Sequence, residues 1–372
     1  MSMLEIDKLS KVYKSGTFGA GLKPALREVS FDIGRGEVVS LIGESGSGKS
    51  TLGKIILRLI SASAGRVLFD GTDVITLKPS QLHDYYRNVQ GVFQDPFSSY
   101  NPLYKADRVF ELVRQEYFDH LSQKEWDAKV EAALETVALN PADVLNKFPH
   151  QLSGGQQQRL LVARALLLDV KLLIADEIIS MLDASTRVDV LNMLVGLKRK
   201  GLAVLFITHD LSLGNYISDR TVILRYGAVV EMGDTEKVFG NPRHSYTRHL
   251  LTAVPQLHRK WQAADEDRQV AAGVANGATG TVRGAQASTF GADASSIDAA
   301  GRRYSKSPLN PRNAAAPPAP SGSRPSLMEL EDQPWHSRFR IGGGPSMATV
   351  LANNAPPELV QFEEGHFVAV EQ

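Results

Sequence analysis

Leu152-Ser153-Gly154-Gly155-Gln156-Gln157-Gln158-Arg159, read together with the upstream Gly43-Glu44-Ser45-Gly46-Ser47-Gly48-Lys49-Ser50, decides how this chain folds. The upstream stretch fits G-x-x-x-x-G-K-S/T, a phosphate loop. Before it runs Val38-Val39-Ser40-Leu41-Ile42, a continuous apolar segment of the kind buried on both faces of a parallel sheet. After it comes a helical pattern from Ser50 to about Leu59. Strand, glycine loop and helix in that order are the context that gives the motif meaning. Gly43, Gly46 and Gly48 let the backbone approach phosphate oxygens, and the bared N–H groups and helix start complement the charge. Glu44, Ser45, Ser47 and Thr51 complete the nucleotide-binding set. Lys49 is expected to reach the β and γ phosphates, and Ser50 to place its hydroxyl on Mg2+.

The second stretch has its own logic. Ser153 is a good N-cap, and Gln156 through Leu168 carries apolar residues in a helical rhythm. Gly154 and Gly155 are read as baring the first-turn N–H groups, which makes another anion site. After the second helix, Leu172-Leu173-Ile174-Ala175-Asp176-Glu177 is an apolar strand ending in two carboxylates. Asp176 is expected to hold Mg2+, and Glu177 to orient and deprotonate an attacking water.

In combination these motifs resemble the ATP-binding cassette (ABC) family, in which two ATPase subunits sandwich ATP and drive a membrane transporter. The resemblance covers residues 3–257. It implies a P-loop NTPase with a RecA-like α/β core, an N-terminal antiparallel β subdomain and a helical subdomain over about 95–165. It further implies that Tyr13 stacks on adenine, that His209 contacts the γ-phosphate and steadies Glu177, and that Gln94 touches Mg2+ or the water. Stacking needs only a flat π face, so Tyr13 selects bases weakly. Gln94, before Pro96, reads as an ordinary turn residue without that context. The signature residues Ser153, Gly154, Gly155 and Gln156, with Asp183 in the loop crossing the seam, are implied to close on a nucleotide held by the other subunit. ATP and Mg2+ are the implied cofactors.

Two further pieces look like the oligopeptide/dipeptide importer branch. They are Phe93-Gln94-Asp95-Pro96-Phe97-Ser98-Ser99-Tyr100-Asn101-Pro102 and Asn241-Pro242-Arg243-His244-Ser245-Tyr246-Thr247-Arg248-His249-Leu250-Leu251, where Ser245 stands in place of the usual proline. The closing Glu364-Gly365-His366-Phe367-Val368-Ala369-Val370 also matches that branch, with Val370 where cysteine often sits. Many such relatives carry an iron–sulfur cluster; zero cysteines rule one out. Ile178 replaces the proline that normally follows the catalytic glutamate, which loosens that turn and puts the hydrolysis rate in question. The implied function is the ATP-hydrolysing subunit of an importer of peptides or related solutes. The implied partners are a second, homologous ATPase subunit, two membrane permeases and an extracytoplasmic solute-binding protein, and the implied place is the cytoplasmic face of the membrane. The alternatives are a degenerate nucleotide-binding regulator, suggested by Ile178, and a soluble non-transport ABC ATPase.

Bulk properties agree with the importer reading. Of 372 residues 43% are hydrophobic, enough for a real core, and 22% are charged. Lys plus Arg balance Asp plus Glu at 41 each, so no positive field recruits nucleic acid. The greasiest run, Leu160 to Ala175, is broken by Arg164, Asp169 and Lys171 and is too short to span a bilayer. Any membrane role is therefore expected to come through a partner. Residues 3–42 read as short strands joined by turns, with Val29, Phe31 and Ile33 alternating. Residues 105–150, with Glu111, Val113, Trp126, Val130 and Leu134 at helical spacings, read as a helical insertion. Ala203–Ile207 reads as another buried strand, 185–199 as a helix, and Val222–Leu224 with Ala228–Val230 as a hairpin. From 258 to 334 the chain is rich in Ala, Gly, Ser and Pro and is expected to be a disordered linker. Residues 335–372 regain aromatics and are read as a tail able to dock back.

Overall fold

The computed structural model describes residues 2–15, 21–252 and 347–370. The expected linker at 258–334 and the start of the tail lie outside the described residues. The strands are β1 Ser2–Ser15, β2 Gly21–Gly34, β3 Val38–Ile42, β4 Ala64–Phe69, β5 Thr72–Asp73, β6 Val89–Val92, β7 Leu172–Asp176, β8 Ala203–Thr208, β9 Arg220–Arg225, β10 Ala228–Asp234, β11 Leu359–Glu363 and β12 His366–Ala369. The helices are α1 Lys49–Ile56, α2 Pro79–Asn88, α3 Arg108–Tyr117, α4 Gln123–Thr136, α5 Pro141–Val144, α6 Gly154–Leu166, α7 Ala184–Arg199, α8 Leu211–Ile217, α9 Thr235–Gly240, α10 Ser245–Thr252 and α11 Met347–Asn353.

Two sheets form. A four-stranded antiparallel sheet runs β2-β1-β4-β5, and an eight-stranded sheet runs β11-β12-β10-β9-β3-β8-β7-β6. In the larger sheet β6, β7, β8, β3 and β9 are parallel, and every residue of β3, β7 and β8 is buried, as their unbroken apolar runs require. Register then places the chemistry. Ile42 pairs with Thr208, and Asp176 with Ile207, so the residues leaving β3, β7 and β8 emerge together at the carboxyl edge of the sheet. Ligands of open α/β sheets bind at that edge.

The N-terminal strands depart from the expected short pieces. Both are 14 residues long. Register shifts between Ile6 and Leu9, Leu9 and Lys11, and Lys11 and Val12 interrupt the alternation, so a period-two reading breaks one strand into several. Ser10 is buried at this irregularity, and its hydroxyl accepts the Glu28 N–H at 2.9 Å. Helix α1 is also shorter than expected, because Arg58 turns left-handed at φ 57°. Leu59 N–H then bonds Lys54 O and Arg58 N–H bonds Ile55 O, a Schellman closure without glycine.

In the insertion, Trp126, Val130 and Leu134 of α4 are buried with Phe110 of α3 and Leu160 of α6 in one apolar cluster. The helix expected at 185–199 is α7, and the expected hairpin is β9–β10 with antiparallel pairing. Strand β12 pairs antiparallel with β10 through Glu231–Val368, Met232–Phe367 and Gly233–His366. Among the described residues no helix is long and apolar enough to cross a membrane.

Candidate functional site

The phosphate loop leaves the buried end of β3 and turns into α1 at Gly48, whose φ of 110° is open to glycine and strained for other residues. Lys49 opens that helix with only 5% exposure. Its ammonium donates to the loop's own carbonyls, Gly43 O at 2.7 Å and Glu44 O at 2.8 Å. Desolvation lowers its pKa, opposed by the charges of Glu177, Asp176 and Glu44. Glu44, Ser45 and Gly46 are exposed, Ser47 is buried, and Thr51 is half-buried in the first turn. Ser50 donates its hydroxyl to Asp176 Oδ1 at 3.3 Å.

Asp176 ends β7 with 7% exposure, and burial pushes its carboxyl pKa up. The Ser50 hydrogen bond and the Lys49 ammonium pull the other way without overcoming the desolvation. A buried carboxylate beside a hydroxyl and short of positive charge suits a divalent cation. Among the described residues no three His, Cys, Asp or Glu side chains gather to hold a metal.

Glu177 follows in the left-handed region at φ 50°, fixed by its N–H on Ile207 O at 2.9 Å. Its Oε1 lies 3.1 Å from His209 Nδ1, which arrives from the end of β8. The turn after Glu177 holds without proline. Ser180 returns both its N–H, at 3.1 Å, and its hydroxyl, at 2.9 Å, to Glu177 O. Ile178 is 1% exposed and packs in the helical-side core. Gln94 is exposed, two residues beyond Val92, whose strand pairs with β7 at Ala175. The edge therefore gathers Lys49, Ser50, Asp176, Glu177 and His209, with Gln94 on the neighbouring strand exit.

The signature stretch is a second, separate construction. Ser153 accepts the Gln156 N–H at 3.2 Å, and Gln156 Oε1 accepts the Ser153 N–H at 2.9 Å, a complete capping box on α6. Among the described residues no hydrogen bond joins Ser153 through Gln156 to the phosphate loop. Gly155 has a packing role that the sequence argument did not assign. The residue is buried, and an added Cβ would lie 2.4 Å from Thr186 Cγ2. Its smallness serves close packing of α6 against the start of α7. Asp183 N-caps α7, accepting from Ser185 Oγ at 2.6 Å, Thr186 N at 3.0 Å and Thr186 Oγ1 at 2.8 Å. These donors, the Ser185 hydroxyl foremost, hold its carboxyl far below the usual range. Tyr13 is 40% exposed on β1, with the Lys11 ammonium 5.1 Å from its ring centroid.

Two contacts on the phosphate loop escaped sequence reasoning. Gly227, in the β9–β10 turn, donates its N–H to Ser47 O at 2.9 Å. Tyr246 accepts the Glu44 N–H on its hydroxyl at 3.1 Å. The motif match at 241–251 pointed to Tyr246 but assigned it no partner.

Comparison with known proteins agrees with the geometry. Residues 26–180 match the ABC transporter family, and residues 230–280 match the oligopeptide/dipeptide transporter C-terminal region. A protein of Brucella ovis, by name a peptide import ATP-binding protein, is 43% identical over 255 residues, covering 68% of this chain and 78% of the relative. The glutathione import ATP-binding protein GsiA of Escherichia coli K12 is 44% identical over 62% of this chain but only 37% of its own length. Among solved structures, a dimeric ATP-binding cassette in a post-hydrolysis state with ADP and Pi matches with TM-score 0.57 at 31% identity, covering 63% of this chain and 99% of the other. The cassette CbiO1 of Clostridium perfringens, part of an ABC transporter complex, matches with TM-score 0.56 at 26% identity, covering 68% and 96%. With the phosphate loop and the Asp176-Glu177 and His209 strand ends at one sheet edge, and a relative this similar over most of its length, the chain belongs to the ABC transporter family as an ATP-binding subunit.

Proposed function

We propose that this chain is the ATP-hydrolysing subunit of an importer that carries peptides or chemically related solutes. The carrying observation is the 3.1 Å contact between Glu177 and His209 beside the phosphate loop. In this reading the loop N–H groups and Lys49 bind the β and γ phosphates, and adenine lies against Tyr13. Asp176 and Ser50 would hold Mg2+, with Gln94 at its rim; when bound, the ion offsets charge on the phosphate oxygens. Glu177 takes a proton from the attacking water, and His209 fixes the carboxylate and reaches the γ-phosphate.

The signature helix start, capped but unconnected to its own loop, supports a second ATPase subunit as the source of the facing lid. Asp183, at the α7 start, belongs to the same seam. The peptide and glutathione importers among the relatives favour peptide-like cargo, two membrane permeases, an extracytoplasmic binding protein and a peripheral place on the cytoplasmic face of the membrane. The regulator reading rested on Ile178; the Ser180 hydrogen bonds that anchor the turn after Glu177 support the hydrolytic reading instead. Glu177→Gln tests the assignment in the assembled complex. It should cut steady-state hydrolysis by two orders of magnitude or more, within the usual range for a general base, while ATP still binds and holds the subunits together. Turnover close to wild type would take the base role from Glu177.

A further inference from the structure

Behind the phosphate loop, a chain of hydrogen bonds leads away from the nucleotide edge to the C-terminal tail. Its first link is the Glu44 N–H on the Tyr246 hydroxyl, 3.1 Å. Tyr246 is 4% exposed, and the Arg225 guanidinium lies 4.7 Å from its ring centroid. The Tyr246 N–H donates to His244 Nδ1 at 3.1 Å. His244 N–H in turn donates to Glu231 Oε2 at 3.1 Å, and Arg243 N–H to Glu231 Oε1 at 2.8 Å. Glu231 is fully buried on β10, and the last link is His366 Nε2 at 2.8 Å from its Oε1. His366, itself fully buried, opens β12 and has Glu363 Oε1 3.3 Å from Nδ1.

A buried carboxylate is tolerated only with donors aimed at it, and here three converge. One of them is contributed by the tail. Glu231 is thus a junction that orders residues 243–246, and those residues carry the hydroxyl that braces the loop. We propose that Tyr246 is a positioning residue for nucleotide binding and that the C-terminal strand β12 acts on the phosphate loop through His366, Glu231 and the 243–246 turn. A loop already held in its bound shape loses less freedom when phosphate arrives, so bracing appears as affinity. The inference rests on ATP binding at the phosphate loop.

The test is the affinity of the full-length chain for Mg-ADP, measured by calorimetry for wild type, Tyr246→Phe, His366→Ala and the double variant, with thermal unfolding run alongside. Tyr216→Phe is the control, since it deletes a hydroxyl bonded to Asn192 away from the loop. Tyr246→Phe should weaken Mg-ADP about three- to tenfold, the size of one lost hydrogen bond. His366→Ala should weaken it by a smaller factor, and should add nothing in the Tyr246→Phe background, because both act through one path. Tyr246→Phe binding like wild type would overturn the positioning role. His366→Ala without effect, or with its full effect in the Tyr246→Phe background, would overturn the link to the tail. Wild type that fails to bind Mg-ADP at all would instead refute the nucleotide site itself.

Discussion

Replacing Gly155 by alanine separates two reasons for a glycine in the signature. If the residue only bares N–H groups, one methyl is harmless to stability. The structure says otherwise, since the new Cβ would meet Thr186 Cγ2 at 2.4 Å, more than 1 Å inside the optimal carbon–carbon separation. Thr186 cannot simply swing aside. Its Oγ1 donates to Asp183 Oδ2 at 2.8 Å and its N–H to Oδ1 at 3.0 Å, so a rotated side chain forfeits part of the α7 cap. Overpacking of this kind costs about 1–3 kcal/mol, which in a domain of this size lowers Tm by about 2–12 °C. Thr186→Ser removes Cγ2 and keeps the hydroxyl. The Gly155→Ala/Thr186→Ser pair should therefore recover most of the loss, with a coupling above about 0.5 kcal/mol. Thermal unfolding of the four proteins decides it. A single Gly155→Ala variant that melts within a degree of wild type, or a double variant whose loss is the sum of the singles, would refute the packing argument.

Two other perturbations have signs set by the geometry. Because burial raises the Asp176 pKa above its unfolded value of 3.8, its ionised form costs stability at neutral pH, and that cost fades as pH falls through the raised pKa. Asp176→Asn should thus stabilise the nucleotide-free protein at pH 7, lose that advantage below about pH 3.8, and abolish hydrolysis; unfolding curves at the two pH values check it. Ala138, exposed after α4 at φ 53°, closes a Schellman turn through Leu139 N–H on Leu134 O and Ala138 N–H on Glu135 O. Ala138→Gly should relieve the left-handed strain and raise stability by about 0.5–1 kcal/mol; an unchanged or lower midpoint in denaturant would contradict it.

What could be read from the chain was what lies within one element or its ends. The phosphate loop, the strand ending at Asp176 and the Ser153 cap declare themselves because strand, turn and helix signals are contiguous there. The resemblance added His209 and Gln94, whose roles depend on which strands lie side by side. Sequence reading failed where contacts are distant or geometry is irregular. Bulges hid two 14-residue strands, and left-handed Arg58 and Ala138 end helices with no glycine to announce the stop. The Glu44–Tyr246 bond joins residues separated by 202 positions, and no local pattern anticipates it.

Distant contacts also join two motifs that stand apart in the sequence. Gly155 presses on Thr186, Thr186 is bonded to Asp183, and Leu182 is buried in the same cluster as Leu160 of the signature helix. The signature and the loop after Glu177 are therefore one packed unit, and a shift of α6 must carry the α7 start with it, since close-packed interfaces transmit strain rather than absorb it. Ser180 ties that same loop back to Glu177 through its N–H and hydroxyl. A displacement of α6 is thereby carried toward the turn after Glu177 by packing and hydrogen bonds within this one chain.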